Sequence, residues 1–304
     1  MLSTDMMRYV DLHHAVGFRF HTQHQLLSSF VTFADAYGDE FVRIERVLDW
    51  ASQSSSPPQR RRRLLEVRRF ALAMRPEDAR YEVPAADALG RASYRRRIVH
   101  IYTPDEISRL MQAAAKLGPT GSVRPLMYVT LFGLVAATGM RISEALAIRL
   151  EDVTEDGMII RQTKFHKSRL VPLHPTTKRA LDIYTNARKQ LGTLDGSLFI
   201  SRLGKRLAYV TVDAVFLRLA RSIGLRGEPG QRGARMHDLR HTFAVRSLEQ
   251  CGCDDKAVAR HLAALSTYLG HVHATSTYWY LQATPILMEQ IANAGEALYQ
   301  GGAP

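Results

Sequence analysis

The chain has 304 residues, 46% of them hydrophobic, and sets 41 lysines and arginines against 29 aspartates and glutamates, a formal charge of +12. That length can bury a substantial core and predicts two domains. The positive excess points to a polyanion, and nucleic acid ranks ahead of an anionic membrane because no isolated basic amphipathic segment reads as a surface anchor.

No run approaches the ~20 apolar residues needed to cross a bilayer. Met1–Asp5 is not the basic start of a secretion signal. Cys251 and Cys253 are separated by one glycine, a poor geometry for a mutual disulfide and too few ligands for a zinc knuckle. The expectation is a soluble, unexported, cytoplasmic protein.

From Met6 to about Arg75 the pattern is helical. Leu26, Leu27, Phe30, Phe33 and Ala34 recur at helical spacing, Gly38-Asp39 interrupts, and Val42, Ile44, Val47, Leu48 and Trp50 form a second apolar face. After Ser54–Pro58 a third helix opens with Arg60, Arg61, Arg62 and Arg63 and runs through Leu64, Val67, Phe70 and Met74 to Pro76. Residues 1–80 are predicted to be a small helical DNA-binding domain, its arginine run serving either as a solvated face or as a phosphate contact. Residues 81–103 carry little apolar periodicity, include Pro84 and end in a basic group with Arg91, Arg95, Arg96 and Arg97. They are expected to form a basic interdomain linker along a phosphate backbone, letting two basic domains close around a duplex.

Thr103-Pro104-Asp105-Glu106 is a helix start that opens a second domain, residues 104–304. Leu126–Ala137 is apolar nearly all round, as a central buried helix requires, and Thr138-Gly139 stops it. At the next junction stands Arg141, with Glu144 one helical turn on to orient it or simply to close the turn by an ion pair. The period then shortens at Met158–Ile160 and Leu170-Val171, predicting a β-hairpin or small antiparallel sheet whose tip presents Lys164 and Lys167. Helices are predicted at about 177–191, 212–223 and 257–265, with Ser197–Ser201 a short strand or apolar loop and Gly224–Gly233 a basic, glycine-rich loop. An amphipathic helix follows at 286–298.

Between these lies Met236–Phe243, which places His237, Arg240 and His241 on adjoining parts of one helical face. Two chemistries fit the cluster. Two histidines four apart resemble zinc ligands, with Asp238 where a metalloprotease carries its base. Alternatively Arg240 is an anion-binding fork and His237 its proton-transfer partner. A capped core helix with solvated histidines is the plain alternative.

Taken together, Ala137–Glu144, the hairpin Lys164, His237-x-x-Arg240-His241-Thr242, Leu269-Gly270-His271 and Tyr280 nine residues later resemble the tyrosine recombinase (phage integrase) family in order, spacing and context. The resemblance spans about residues 104–290, and the N-terminal module is similar to the family's core-binding domain in position and helicity. It implies a mainly α architecture with a small antiparallel β-sheet: a helical core-binding domain followed by an α+β catalytic domain.

The implied activity is site-specific cleavage and rejoining of double-stranded DNA through a 3′-phosphotyrosyl intermediate, without metal or cofactor. The metalloprotease reading would leave Arg141, Arg240, Lys164 and the tyrosine without a purpose. Metal-free cleavage needs fixed cations around the non-bridging oxygens, and a tyrosine of pKa about 10 must lose its proton as it attacks.

By resemblance, Arg141 and Arg240 hold the phosphate, Glu144 supports Arg141, Tyr280 is the nucleophile, Lys164 the general acid, His237 a proton-transfer aid and His271 a hydrogen-bond donor to the scissile phosphate. Tyr278 and Lys167 are the neighbours that compete for the tyrosine and lysine roles. Arg60–Arg63 and Arg95–Arg97 are the expected DNA-backbone contacts. The implied assembly is a homotetramer on paired sites within the nucleoid, alone or with partner recombinases, in the service of a mobile element through integration or transposition.

Leu281-Gln282-Ala283 departs from the Thr-His or Ser-His common after the nucleophile, which leaves the subfamily open. The lack of a separate arm-binding domain ahead of the helical module disfavours a lambda-type integrase. Other readings are a non-catalytic DNA-binding regulator on the same fold and a relative of type IB topoisomerases or telomere resolvases.

Overall fold

The computed structural model describes residues 2–90, 99–161, 168–192, 195–201, 203–250 and 255–270, together with residues 277, 280, 289 and 296. The chain divides into two compact units, Met1–Arg97 and Ile98–Pro304.

In the first unit four helices, α1 (Leu2–Ala15), α2 (His21–Asp35), α3 (Ile44–Ser52) and α4 (Pro57–Met74), enclose a core built on Leu27, Phe30, Val47, Trp50, Leu64, Val67 and Phe70. α4 starts at Pro57, whose missing N–H costs nothing in a first turn. The arginines that follow it brace the unit. Arg60 Nε donates to the Ser54 carbonyl (2.5 Å), Arg61 to Ala86 (3.1 Å), and Arg63 to Trp50 (3.0 Å) while lying over the Trp50 ring. Arg62 is exposed.

The structure differs from expectation at residues 81–90, which pack into this unit instead of forming a linker. Tyr81 is buried and donates to Asp5 Oδ2 (2.6 Å), Val83 and Leu89 cover the core, and the Glu82 amide donates to the Val42 carbonyl. A few anchoring side chains hold an irregular strand of chain with no periodicity for a sequence reading to detect. Arg91, Arg95, Arg96 and Arg97 lie outside the described residues.

The second unit opens at α5 (Pro104–Ala115), capped as the sequence predicts. Thr103 Oγ1 accepts from the Glu106 amide (3.1 Å), and Glu106 Oε2 accepts from the Thr103 amide (2.8 Å). α6 (Arg124–Thr138) is the central helix, with Met127, Tyr128, Leu131, Phe132, Leu134 and Val135 all buried. It stops at Gly139, whose φ of 61° and lack of a side chain are both needed, because a Cβ there would stand 2.4 Å from Phe243.

After the single turn α7 (Ile142–Ala145), a 3₁₀ turn at Leu150–Asp152 leads into an antiparallel meander, β1 (Val153–Thr154), β2 (Gly157–Ile160) and β3 (Arg169–Val171). Its register pairs Ile160 with Arg169 and Met158 with Val171. β1 has two residues, too short to register as alternation in the sequence. The tip of the β2–β3 hairpin, with Lys164 and Lys167, lies outside the described residues. Helices α8 (Pro175–Lys189), α9 (Tyr209–Ser222), α10 (Met236–Glu249) and α11 (Asp255–Leu269) complete the unit. The predicted tail helix at 286–298 falls outside the described residues apart from 289 and 296.

Candidate active site

The first turn of α10 is settled by Asp238, which is buried. Its Oδ2 accepts from the Arg235 amide (3.0 Å) and its Oδ1 from Arg235 Nη2 (2.7 Å), so this carboxylate is committed to the helix start. The next turn sends Arg240 inward, where only 2% of its surface remains exposed. Two carbonyl oxygens fix the guanidinium: Nη1 donates to Gly139 (2.8 Å) and Nη2 to Leu269 (2.7 Å).

Arg141 approaches from the other side of the same junction. Its amide donates to Glu144 Oε2 (2.9 Å), its Nη1 to Glu144 Oε1 (2.8 Å) and its Nη2 to the Gly270 carbonyl (3.3 Å). Leu269 and Gly270 are the C-terminal end of α11, where the last carbonyls of a helix have no partner of their own and the dipole is negative. Gly270 turns the chain there with φ 65°. Both arginines are thus anchored on one helix end, which explains why a Leu-Gly pair belongs to the site.

Tyr280 is buried in one cluster with Ala244, Leu265 and Leu269, its ring 5.4 Å from that of His241, and the charges of Arg240 and Arg141 act on its hydroxyl. His237 and His241 meet edge to face at 4.7 Å. Arg141, Glu144, His237, Arg240 and Tyr280 thus stand in one region of the second unit. Lys164, His271 and Tyr278 lie outside the described residues.

Electrostatics follow from crowding cations into a dry place. Burial, then the charge of Arg141, pushes the Arg240 pKa down to about 10, with Tyr280 and Glu144 opposing, so it stays protonated at neutral pH. Burial alone would raise Glu144, but hydrogen bonds from Arg169 and from Arg141 outweigh it and hold the carboxyl below its ordinary range. For Tyr280, burial raises the pKa against the opposing pull of Arg240 and Arg141, so the hydroxyl keeps its proton until something takes it. His237 is exposed at the surface of the site; the protein atoms around it, followed by the charges of Arg240 and Arg235, lower its pKa. Asp238 opposes that shift. A neutral imidazole able to accept a proton is the result.

The sequence reading missed Arg169. It stands on β3 and donates to Glu144 through Nη2 (2.8 Å) and Nη1 (3.2 Å). The one signal available was a charged residue next to the apolar Leu170-Val171 strand, a pattern that also describes an ordinary edge strand.

The sequence pattern of the phage integrase family matches residues 101–285. An integrase/recombinase of Sinorhizobium fredii, y4rB, is 36% identical over 295 residues, covering 94% of this chain and 94% of that protein. Tyrosine recombinase XerD of Bifidobacterium longum is 31% identical over 250 residues, covering 78% of this chain and 75% of its own. The fold is also that of a lambda integrase tetramer solved on a Holliday junction, with TM-score 0.62 and 19% identity over 90% of this chain and 78% of that one. Among the described residues, no helix is long and apolar enough to cross a membrane. The chain therefore belongs to the phage integrase family of tyrosine recombinases and is a site-specific recombinase, an enzyme that breaks and rejoins DNA strands.

Proposed function

We propose that Tyr280 attacks a scissile phosphate held by Arg141 and Arg240. The observation that carries this reading is the convergence of the two guanidiniums on the end of α11, with the charges of both acting on the buried Tyr280 hydroxyl. The Tyr280 Oη–P bond forms as the P–O5′ bond breaks. His237, held neutral by its surroundings, assists removal of the tyrosine proton, Lys164 protonates the leaving 5′ oxygen, and His271 donates to a non-bridging oxygen. Glu144 orients Arg141. The phosphotyrosyl ester retains the energy of the broken bond, so attack by a new 5′-hydroxyl reseals the strand without ATP.

The double-stranded DNA is gripped by basic residues outside the site as well, with Arg60–Arg63 and Arg95–Arg97 the candidates; Arg62 is the exposed member of the first group. We read the working unit as a homotetramer on paired sites in the nucleoid, a reading supported by the lambda integrase tetramer on its Holliday junction. The integrase/recombinase from Sinorhizobium fredii supports a mobile-element role by integration or transposition.

The test is a denaturing gel for a covalent protein–DNA adduct on nicked duplexes tiled from DNA flanking the gene, without metal or ATP. Adduct formed by the wild type and by Tyr278→Phe, but absent with Tyr280→Phe, is the expected result. Adduct that disappears only with Tyr278→Phe would move the nucleophile two residues.

A further inference from the structure

We infer that Arg169 is a positioning residue of this reaction, a third guanidinium that keeps the phosphate-facing charge of Arg141 from being cancelled by its own support. The inference rests on the reading of Arg141 and Arg240 as the phosphate grip. A carboxylate and a guanidinium left alone close into a two-pronged pair whose charges cancel. Glu144 does not close that way on the Arg141 side chain. Its Oε2 is taken by the Arg141 amide (2.9 Å) and by Arg169 Nη2 (2.8 Å), while its Oε1 is shared between Arg141 Nη1 (2.8 Å) and Arg169 Nη1 (3.2 Å).

With three arginines against one glutamate, the site keeps two positive charges in place of one. Arg141 meets Glu144 through a single nitrogen of its side chain and spends another on the Gly270 carbonyl.

The backbone is shaped to admit this third cation. A Cβ on Gly270 would stand 2.9 Å from Arg169 Nη1, closer than side chains pack, so the bare α-carbon of that residue makes room for the Arg169 guanidinium. Arg169 pairs with Ile160 across the last described rung of the β2–β3 hairpin. A fork locked onto Glu144 at that rung ties the β2–β3 hairpin to the arginine-bearing junction. Its charge reaches Arg240 too, since Arg169 is one of the cations lowering that pKa.

The experiment measures single-turnover adduct formation on a nicked duplex by the full chain and its R169Q, R169K, E144Q and E144Q/R169Q variants, beside DNA binding by gel shift. Losing a residue that orients a ligand-holding group costs about tenfold to a hundredfold in activity. R169Q is expected to slow the adduct by that factor with DNA affinity kept. R169K keeps a charged donor for Glu144 without the two-pronged geometry, and is expected to recover part of the rate lost in R169Q. Because Arg169 acts through Glu144, adding R169Q to E144Q should change the rate little.

R169Q cleaving at the wild-type rate overturns the inference, as does a loss in the double variant equal to the product of the two single losses. Should R169Q fail to fold, the double variant, which leaves neither charge unpartnered, is compared with E144Q alone under the same criterion. A wild type that forms no adduct on any duplex overturns the phosphate-grip reading instead, and is told apart because all the variants are then equally silent.

Discussion

The two units handle charge differently. In the first, buried acids are cancelled by arginines. Asp39 is paired with Arg46 at 2.8 Å and Glu66 with Arg69 at 3.0 Å, and the arginines of α4 brace the fold from half-exposed positions. In the second, Arg240 is sunk into the interior and fixed by the carbonyls of Gly139 and Leu269. A carbonyl positions a guanidinium without neutralising it, whereas a carboxylate positions and neutralises together. The first arrangement stabilises a fold. The second stores positive charge at the cost of a depressed Arg240 pKa, and stored charge is what a phosphate in its transition state needs.

The sharpest way to break this contrast is Arg240→Lys. Lysine keeps the charge but offers no fork to span Gly139 and Leu269, so cleavage should fall about a hundredfold to a thousandfold, as for the loss of one transition-state donor. Single-turnover adduct formation at fixed DNA occupancy measures this, and a rate near the wild type would mean that charge alone suffices.

Gly270→Ala comes next. It forces a side chain into a left-handed position and against Arg169 Nη1, with an expected stability loss of about 1–3 kcal/mol by thermal unfolding and a slower cleavage step.

A subtler change is Arg235→Gln. Removing a cation that lowers the His237 pKa, and freeing Asp238 which raises it, must move that pKa upward. The imidazole then protonates at higher pH, so the acid limb of the pH–rate profile should shift to higher pH, and a shift the other way would remove His237 from the proton path.

The smallest effect is expected in the first unit. Glu66→Gln breaks a pair whose arginine is largely exposed and screened, costing about 1 kcal/mol of stability and leaving the cleavage rate of bound enzyme unchanged. A change in that rate would show that charge cancellation in the first unit feeds the chemistry.

Much of the fold was legible along the chain because its determinants are local. Helical periodicity located α2, α3, α4 and α9, a run apolar nearly all round located α6, the Thr103–Glu106 pattern marked the start of α5, and a glycine marked the end of α6. Residues 81–90 were not legible, since what holds them is a Tyr81–Asp5 hydrogen bond between positions 76 residues apart, which no window of neighbouring residues contains.

The site divides the same way. Residue types suited to a metal-free phosphodiester cleavage, set in the register that the family resemblance supplied, singled out Arg141, Glu144, His237, Arg240 and Tyr280 as candidates. Packing alone decided that Arg141 and Arg240 share the carbonyl end of α11, that Gly270 leaves room beside them, and that Arg169 reaches Glu144 across 25 positions of sequence. Such contacts depend on where helices and strands come to rest against one another. A charge beside an apolar strand reads identically in a linear chain whether it ends in solvent or on a buried carboxylate.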